Sequence, residues 1–174
     1  KVDCLWGCYT MTGREEKYNW AGPYMCSRHV IVVRKDSSIK KLSDLNGRIV
    51  AAQVGTKPET LFLNKSNHLP KIKSLVTFKT IDEVISALRK GYVDAIAAHE
   101  GVLRQYTKDE ITQYRFLSES IYSAKLGVAF SKKSDQQIAD KLTKVLRKMV
   151  ADGTVSRIVE KYSMNGIQAV KDLE

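Results

Sequence analysis

The chain has 174 residues, a formal net charge of +10, and 43% hydrophobic against 28% charged residues, enough for one good core or two small ones. No apolar run approaches the ~20 residues of a membrane-spanning helix. The basic residues fall in dispersed pairs (Arg34/Lys35, Lys40/Lys41, Arg89/Lys90, Lys132/Lys133, Arg147/Lys148) interleaved with acids, without an aromatic platform or a basic arm, which argues against nucleic-acid binding.

In chain order, Val2–Trp6 (VDCLW) reads as a strand ending at Gly7. The segment YTMTGREEKYNWAGPYM, residues 9–25, reads as a loop, with Trp20, Pro23 and Tyr24 as a rigid aromatic corner. Arg14 within it admits two readings. It is either a surface arginine paired with Glu15 or Glu16, worth little to stability, or a guanidinium fork gripping a carboxylate.

His29–Arg34 (HVIVVR) is a strong strand, 35–41 a polar linker, and 43–47 a short helical turn. Arg48–Thr60, RIVAAQVGTKPET, is the stretch around which the rest is arranged. Ile49–Val54 is a buried strand ended by Gly55. Thr56-x-x-Glu59 reads as a capping box opening a helix, with Pro58 in the first turn. Such a strand-to-helix turn leaves backbone N–H donors at the sheet's carboxyl edge, an arrangement suited to anions and small polar ligands.

Leu75–Phe78 is the next strand, and Thr80-x-x-Glu83 a second capping box. Val84, Ile85 and Leu88 give the following helix its apolar stripe before Gly91. Val93–Ala98 (VDAIAA) is a buried strand delivering His99 and Glu100, and Gly101–Tyr106 a short helix. This β-α-β-α-β-α order predicts a mainly parallel sheet with a ligand crevice at its strand ends, where Gly55, Thr56 and His99 or Glu100 arrive.

Leu126–Phe130 (LGVAF) is another strand, which together with HVIVV brackets the βα region like two segments crossing to and from a neighbouring lobe. Ser134-x-x-Gln137 caps a long amphipathic helix, Asp152-Gly153-Thr154 turns the chain, and Val155–Tyr162 is a last helix. The tail 164–174 carries no pattern. Cys4, Cys8 and Cys26 cannot close a disulfide framework and read as buried small hydrophobes, with one bridge to Cys26 left open. His29, His68 and His99 lack ligand spacing, so no metal and no cofactor are expected.

This ordered set resembles the type II periplasmic solute-binding proteins, particularly the polar amino-acid-type family. The carriers are Arg14 followed by Trp20-Ala-Gly-Pro-Tyr24, Leu42-Ser-Asp-Leu-Asn-Gly-Arg-Ile-Val50, Gln53-Val-Gly-Thr56, Leu88-Arg-Lys-Gly-Tyr-Val-Asp-Ala95, and Met149-Val-Ala-Asp-Gly-Thr154 leading to Ile158-Val-Glu-Lys-Tyr162. The resemblance implies an α/β fold of two lobes joined by two crossing strands, closing on a small ligand. It places an incomplete first lobe in 1–34 with 127–174 and the second lobe in 35–126.

By the family pattern, Arg14 grips the ligand carboxylate, and Gly55 and Thr56 add donors to the same group. The acid that normally meets a ligand ammonium is replaced by His99, with Glu100 one residue later. Tyr9 and Thr10 stand where the family has small hydroxyl residues, and Tyr9 would narrow the pocket or stack on the ligand. The expected function is extracytoplasmic capture of a small carboxylate-bearing solute, an amino acid or organic acid, for an ABC transporter permease. The alternatives are a ligand-sensing domain of a membrane signalling module and, less favoured, a cyclohexadienyl-dehydratase-type enzyme using His99 and Glu100 as acid or base. The chain begins late relative to the family pattern, so it is expected either to be a fragment or to have its first lobe completed by a homodimer partner or an exchanged segment.

Overall fold

The computed structural model describes residues 2–7, 9–66, 68–162, 166–171 and 173. The chain forms two compact units, Arg28–Tyr122 and Lys1–Ser27 with Ser123–Glu174. It passes between them along β2 (Asn19–Arg34) and returns along β6 (Tyr114–Phe130). The unit boundaries fall within these strands rather than at the expected 34/35 and 126/127. The physical reason is that Val30–Val33, Tyr114, Leu117 and Ile121 are all buried in the cores of the 28–122 unit.

That unit is the βα region predicted. β3 (Ile49–Gln53) lies parallel to both β4 (Ser74–Phe78) and β5 (Ala95–His99), and β5 also pairs antiparallel with β2. The connecting helices are α1 (Lys57–Leu63) and α2 (Ile81–Arg89), and α3 (Glu100–Thr107) follows β5. Strand alternation sorts the apolar residues between two cores. Val30, Val32, Ala51, Ile96 and Ala98 face α2 and Leu103 of α3, whereas Ile31, Val33, Val50, Ala95 and Ala97 face Leu61 and Phe62 of α1. Each fully buried aliphatic side chain contributes about 1.5–3 kcal/mol, which is why a continuous run such as VIVV forms a central strand.

The capping box of α2 is present as expected. Glu83 N–H donates to Thr80 Oγ1 at 3.3 Å, and Thr80 N–H donates to Glu83 Oε2 at 2.9 Å. The box expected at α1 is not. Thr56 stands at the N-cap, but its hydroxyl donates to Gln53 O at 2.6 Å, and the Glu59 carboxylate accepts from Gly55 N–H instead. Gly55, at φ 74°, donates its own amide to that carboxylate, a single bond with no reciprocal partner.

In the other unit, β1 is only Cys4–Leu5, shorter than VDCLW, and pairs antiparallel with Phe130–Ala129 of β6. Residues 19–25, expected to be loop, are strand. α4 (Gln136–Ala151) is capped by Asp135, whose carboxylate accepts from Gln137 N–H, and not by Ser134. Ala139 and Leu146 of α4 pack with Ala21, Val128 and Phe130. α5 (Thr154–Glu160) starts at Gly153, and the patternless tail holds a further helix, α6 (Gly166–Lys171).

Candidate functional site

The candidate residues fall into two groups, one in each unit. In the first, Arg14 precedes a short 3-10 turn, Glu15–Lys17, and its carbonyl accepts from Lys17 N–H at 3.0 Å and Trp20 Nε1 at 3.1 Å. The backbone is thereby fixed and the side chain left to reach over Tyr9. Arg14 Cζ stands 4.9 Å from the Tyr9 ring centroid, and Nη1 donates to Thr10 Oγ1 at 3.1 Å.

Tyr9 is itself held. It stacks on Trp20 at 5.7 Å, meets Tyr18 edge-on at 5.5 Å, and shares a 2.9 Å hydroxyl hydrogen bond with Tyr18. That hydrogen bond, with desolvation adding, holds the Tyr9 phenol above its ordinary pKa. Among the described residues no carboxylate lies within 4.0 Å of the Arg14 guanidinium. Glu15, the partner of the surface-pair reading, accepts from Gly13 N–H. A guanidinium carries five donors, and the structure commits one of them to a side chain. Arg14, Tyr9 and Thr10 are thus brought together, Trp20 of the aromatic corner supports them, and Tyr18, unremarked in the sequence, does so as well.

The second group lies at the carboxyl edge of the parallel strands. The Gly55 amide is occupied by Glu59 at 2.7 Å and the Thr56 hydroxyl proton by Gln53 O. In this state Thr56 offers its hydroxyl oxygen as an acceptor. Beside it, Lys57 Nζ sits 4.7 Å from the Tyr122 ring centroid.

His99 and Glu100 part company. His99 ends β5 opposite His29 of β2, their rings 5.5 Å apart and perpendicular, and Tyr122 lies 5.7 Å from His29. Gly101 N–H donates to His99 Nδ1 at 3.2 Å, so the neutral ring carries its proton on Nε2. Burial lowers the pKa of both imidazoles. His29 falls to about 4, with the His99 and Lys57 charges adding to the effect. His29 Nδ1 is buried without a hydrogen-bond partner.

Glu100 begins α3 and turns to the opposite side. It is 8% exposed, accepts from Arg28 Nη1 at 3.0 Å, and pairs with Arg104 Nη2 at 2.8 Å. Arg28 Nη2 also donates to Ser118 O at 2.7 Å. A carboxylate held between two guanidiniums is engaged within its own unit. The signal for this was present: an arginine immediately before HVIVVR and an acid immediately after VDAIAAH become neighbours once those strands pair antiparallel.

Cys4 is a free thiol, and Cys8 lies outside the described residues. Among the described residues no cluster of His, Cys, Asp and Glu could hold a metal ion. A groove of about 760 Å³ between Leu61 and Leu75 contains none of the candidate residues.

Residues 21–174 match the family model described as "ABC transporter, phosphonate, periplasmic substrate-binding protein". The chain is 29% identical over 167 residues to the glutamate-binding protein GluB of Corynebacterium glutamicum, covering 91% of this chain and 55% of that protein. It is 28% identical to the histidine-binding periplasmic protein of Escherichia coli K12, covering 93% and 65%. It thus spans between 55% and 65% of the length of these curated relatives. Among solved structures, a polar amino acid ABC uptake transporter substrate-binding protein from Streptococcus thermophilus superposes with a TM-score of 0.79 at 20% identity, covering 98% of this chain and 67% of that one. An ancestral cationic amino acid solute-binding protein gives a TM-score of 0.72 at 28% identity, covering 92% and 69%.

Proposed function

The chain belongs to the family of ABC-transporter periplasmic substrate-binding proteins with the type II fold, and on that premise we propose that it captures a small carboxylate-bearing solute outside the cytoplasmic membrane for an ABC importer. The relatives named above are solute-binding proteins, which favours a binding role over catalysis. The two curated relatives are binding proteins for glutamate and histidine and the family is described for phosphonate, and an acid group is the feature those ligands share.

One observation carries this reading: the Arg14 guanidinium, half-buried over Tyr9, has no carboxylate partner among the described residues. An arginine positioned by its backbone and an aromatic face, yet without a counter-ion, is prepared for an external carboxylate. Thr10 orients the guanidinium, and Tyr9 supplies a flat wall for the ligand. Within the 28–122 unit, Gly55, Thr56 and His99 remain the candidates, grouped at the carboxyl edge of its parallel strands. Glu100 holds the start of α3 and takes no part in binding.

Calorimetric titration of α-amino acids and small organic acids tests the proposal. Arg14→Ala is expected to weaken every carboxylate ligand by ~100-fold or more, about 3 kcal/mol, because a paired charge-assisted contact is lost. Arg14→Lys is expected not to restore it, since an ammonium lacks the planar fork. Undiminished affinity in Arg14→Ala would remove this residue from the site.

A further inference from the structure

We infer that the 28–122 unit carries a binding site of its own for a single-chain amphiphile, in the groove between α1 and the start of β4. An acyl chain lies on the groove floor and its terminal carboxylate meets the rim. The basis is the juxtaposition of an apolar floor with three lysines, Lys65, Lys71 and Lys73. None of Arg14, Gly55, Thr56 or His99 lines this groove, so it stands whether or not the capture role proposed above does.

The groove encloses about 760 Å³, within the roughly 300–1,000 Å³ of small-molecule sites. Leu61 and Phe62 on its floor are buried in the core beneath α1, and Leu69, Ile72 and Leu75 pack against the same core while part of their surface stays open. Such surface stays wetted at a cost until something apolar covers it. Leu63, at the end of α1, lines the same groove and is 63% exposed. Both walls have fixed backbones. Lys71 O accepts from Gly47 N–H at 2.9 Å, and Lys73 N–H donates to Arg48 O at 2.8 Å. On the other wall, Ser66 N–H donates to Leu61 O and Lys65 N–H to Phe62 O, each at 3.2 Å, which closes α1 in a Schellman motif.

The rim decides the charge of the guest. From Thr60 to Ile81 the chain has four lysines and no Asp or Glu. Lys65, Lys71 and Lys73 are exposed, and among the described residues no carboxylate lies within 4.0 Å of their ammoniums. Three like charges around one apolar groove repel a cationic guest and attract an anionic one. Lys65 is set apart by its backbone. Among the described residues it is the one non-glycine at positive φ, 47°, in the position where this helix ending ordinarily takes glycine. A lysine there adds backbone strain that glycine avoids, and brings a cation to the groove rim in return. A short carboxylate would leave the floor uncovered, and a neutral chain would leave the lysines unanswered. An acyl chain ending in a carboxylate answers both.

Isothermal titration with octanoate, decanoate and laurate, each kept monomeric below its micelle concentration, tests this. One laurate per chain is expected to bind, with affinity rising about 5-fold for each two carbons added, because the floor buries each methylene. Dodecyltrimethylammonium, the same chain with the opposite charge, is expected to bind about 10-fold more weakly or worse. Leu63→Glu, and Lys71→Glu combined with Lys73→Glu, are each expected to weaken laurate by about 10-fold. All three positions are exposed, and thermal melting checks that the variants fold. Lys144→Glu, a charge reversal on α4, and Arg14→Ala are expected to leave laurate binding as it is. Absence of laurate binding overturns the inference, as do equal affinity for the cationic chain and undiminished affinity in either folded groove variant. Loss of laurate binding in Arg14→Ala also overturns it, since the chain would then sit in the solute site. Sedimentation of the protein with phosphatidylglycerol vesicles, without uptake of monomeric laurate, overturns it in favour of a membrane-reading surface.

Discussion

Arg28 and Glu100 form an ion pair that solvent barely reaches, 3.0 Å from Nη1 to Oε2 with side chains 5% and 10% exposed. The pair ties the middle of β2 to the start of α3. Removing one partner leaves an uncompensated charge in a desolvated place, so Glu100→Ala is expected to cost about 3–5 kcal/mol of stability. Urea or thermal unfolding measures this. The ligand profile is expected to stay as it is in the parent, and a variant that melts normally but loses one ligand class would return Glu100 to the binding residues.

The imidazole of His29 predicts a pH dependence with a definite sign. Its pKa falls from the ordinary 6.5 to about 4 in the fold, principally through burial. Between those values the unfolded chain binds a proton that the folded chain refuses, so stability rises with pH across this window and levels off above about 6.5. Because the ring keeps partial contact with solvent, the gain is about 1–2 kcal/mol after allowance for screening. His99 shifts in the same direction, again through burial. Unfolding midpoints should rise between pH 4 and 7 accordingly, and His29→Gln should reduce that rise.

Substituting His99→Asp restores an acid at the end of β5, facing His29 rather than Arg28. The introduced carboxylate should attract an ammonium and repel a second acidic group. The affinity ratio of L-alanine to propionate is therefore expected to rise about 10-fold. The same charge should raise the His29 pKa, visible in an NMR titration. A constant ratio alongside a raised His29 pKa would mean that the ligand amine does not approach this strand end.

Gly127 in β6 offers a separate test of the smaller unit's packing. A Cβ there would stand 2.7 Å from Met11 Sδ and 2.9 Å from Ala21 O. The thioether can move aside and the backbone carbonyl cannot. Gly127→Ala should destabilise by about 1–3 kcal/mol, and adding Met11→Ala should recover only part of the loss in thermal unfolding.

The sequence by itself determined most of the 28–122 unit. HVIVVR, IVAAQ and VDAIAAH are continuous apolar runs that form strands because both faces of the sheet are covered, and Thr80 with Glu83 marks a helix start through purely local hydrogen bonds. The Arg14 candidate and the Thr56 turn were visible for the same reason, as local chemistry read along the chain. Local reading failed where competing partners decided the outcome. Glu59 could cap at Thr56 or reach Gly55, and only the positive-φ turn at Gly55 selects the latter. Asp135 displaced Ser134 as the cap of α4 in the same way.

Tertiary structure alone decided which side chains face one another. A one-residue step from the end of β5 into α3 separates His99, facing His29, from Glu100, locked between Arg28 and Arg104. The antiparallel register of β2 against β5 sets that division. Register depends on pairing between residues 70 apart in the sequence, about the separation of His29 and His99, and no local pattern encodes it. An acid one position too late is thereby committed to Arg28 and Arg104, and His99 is left beside His29.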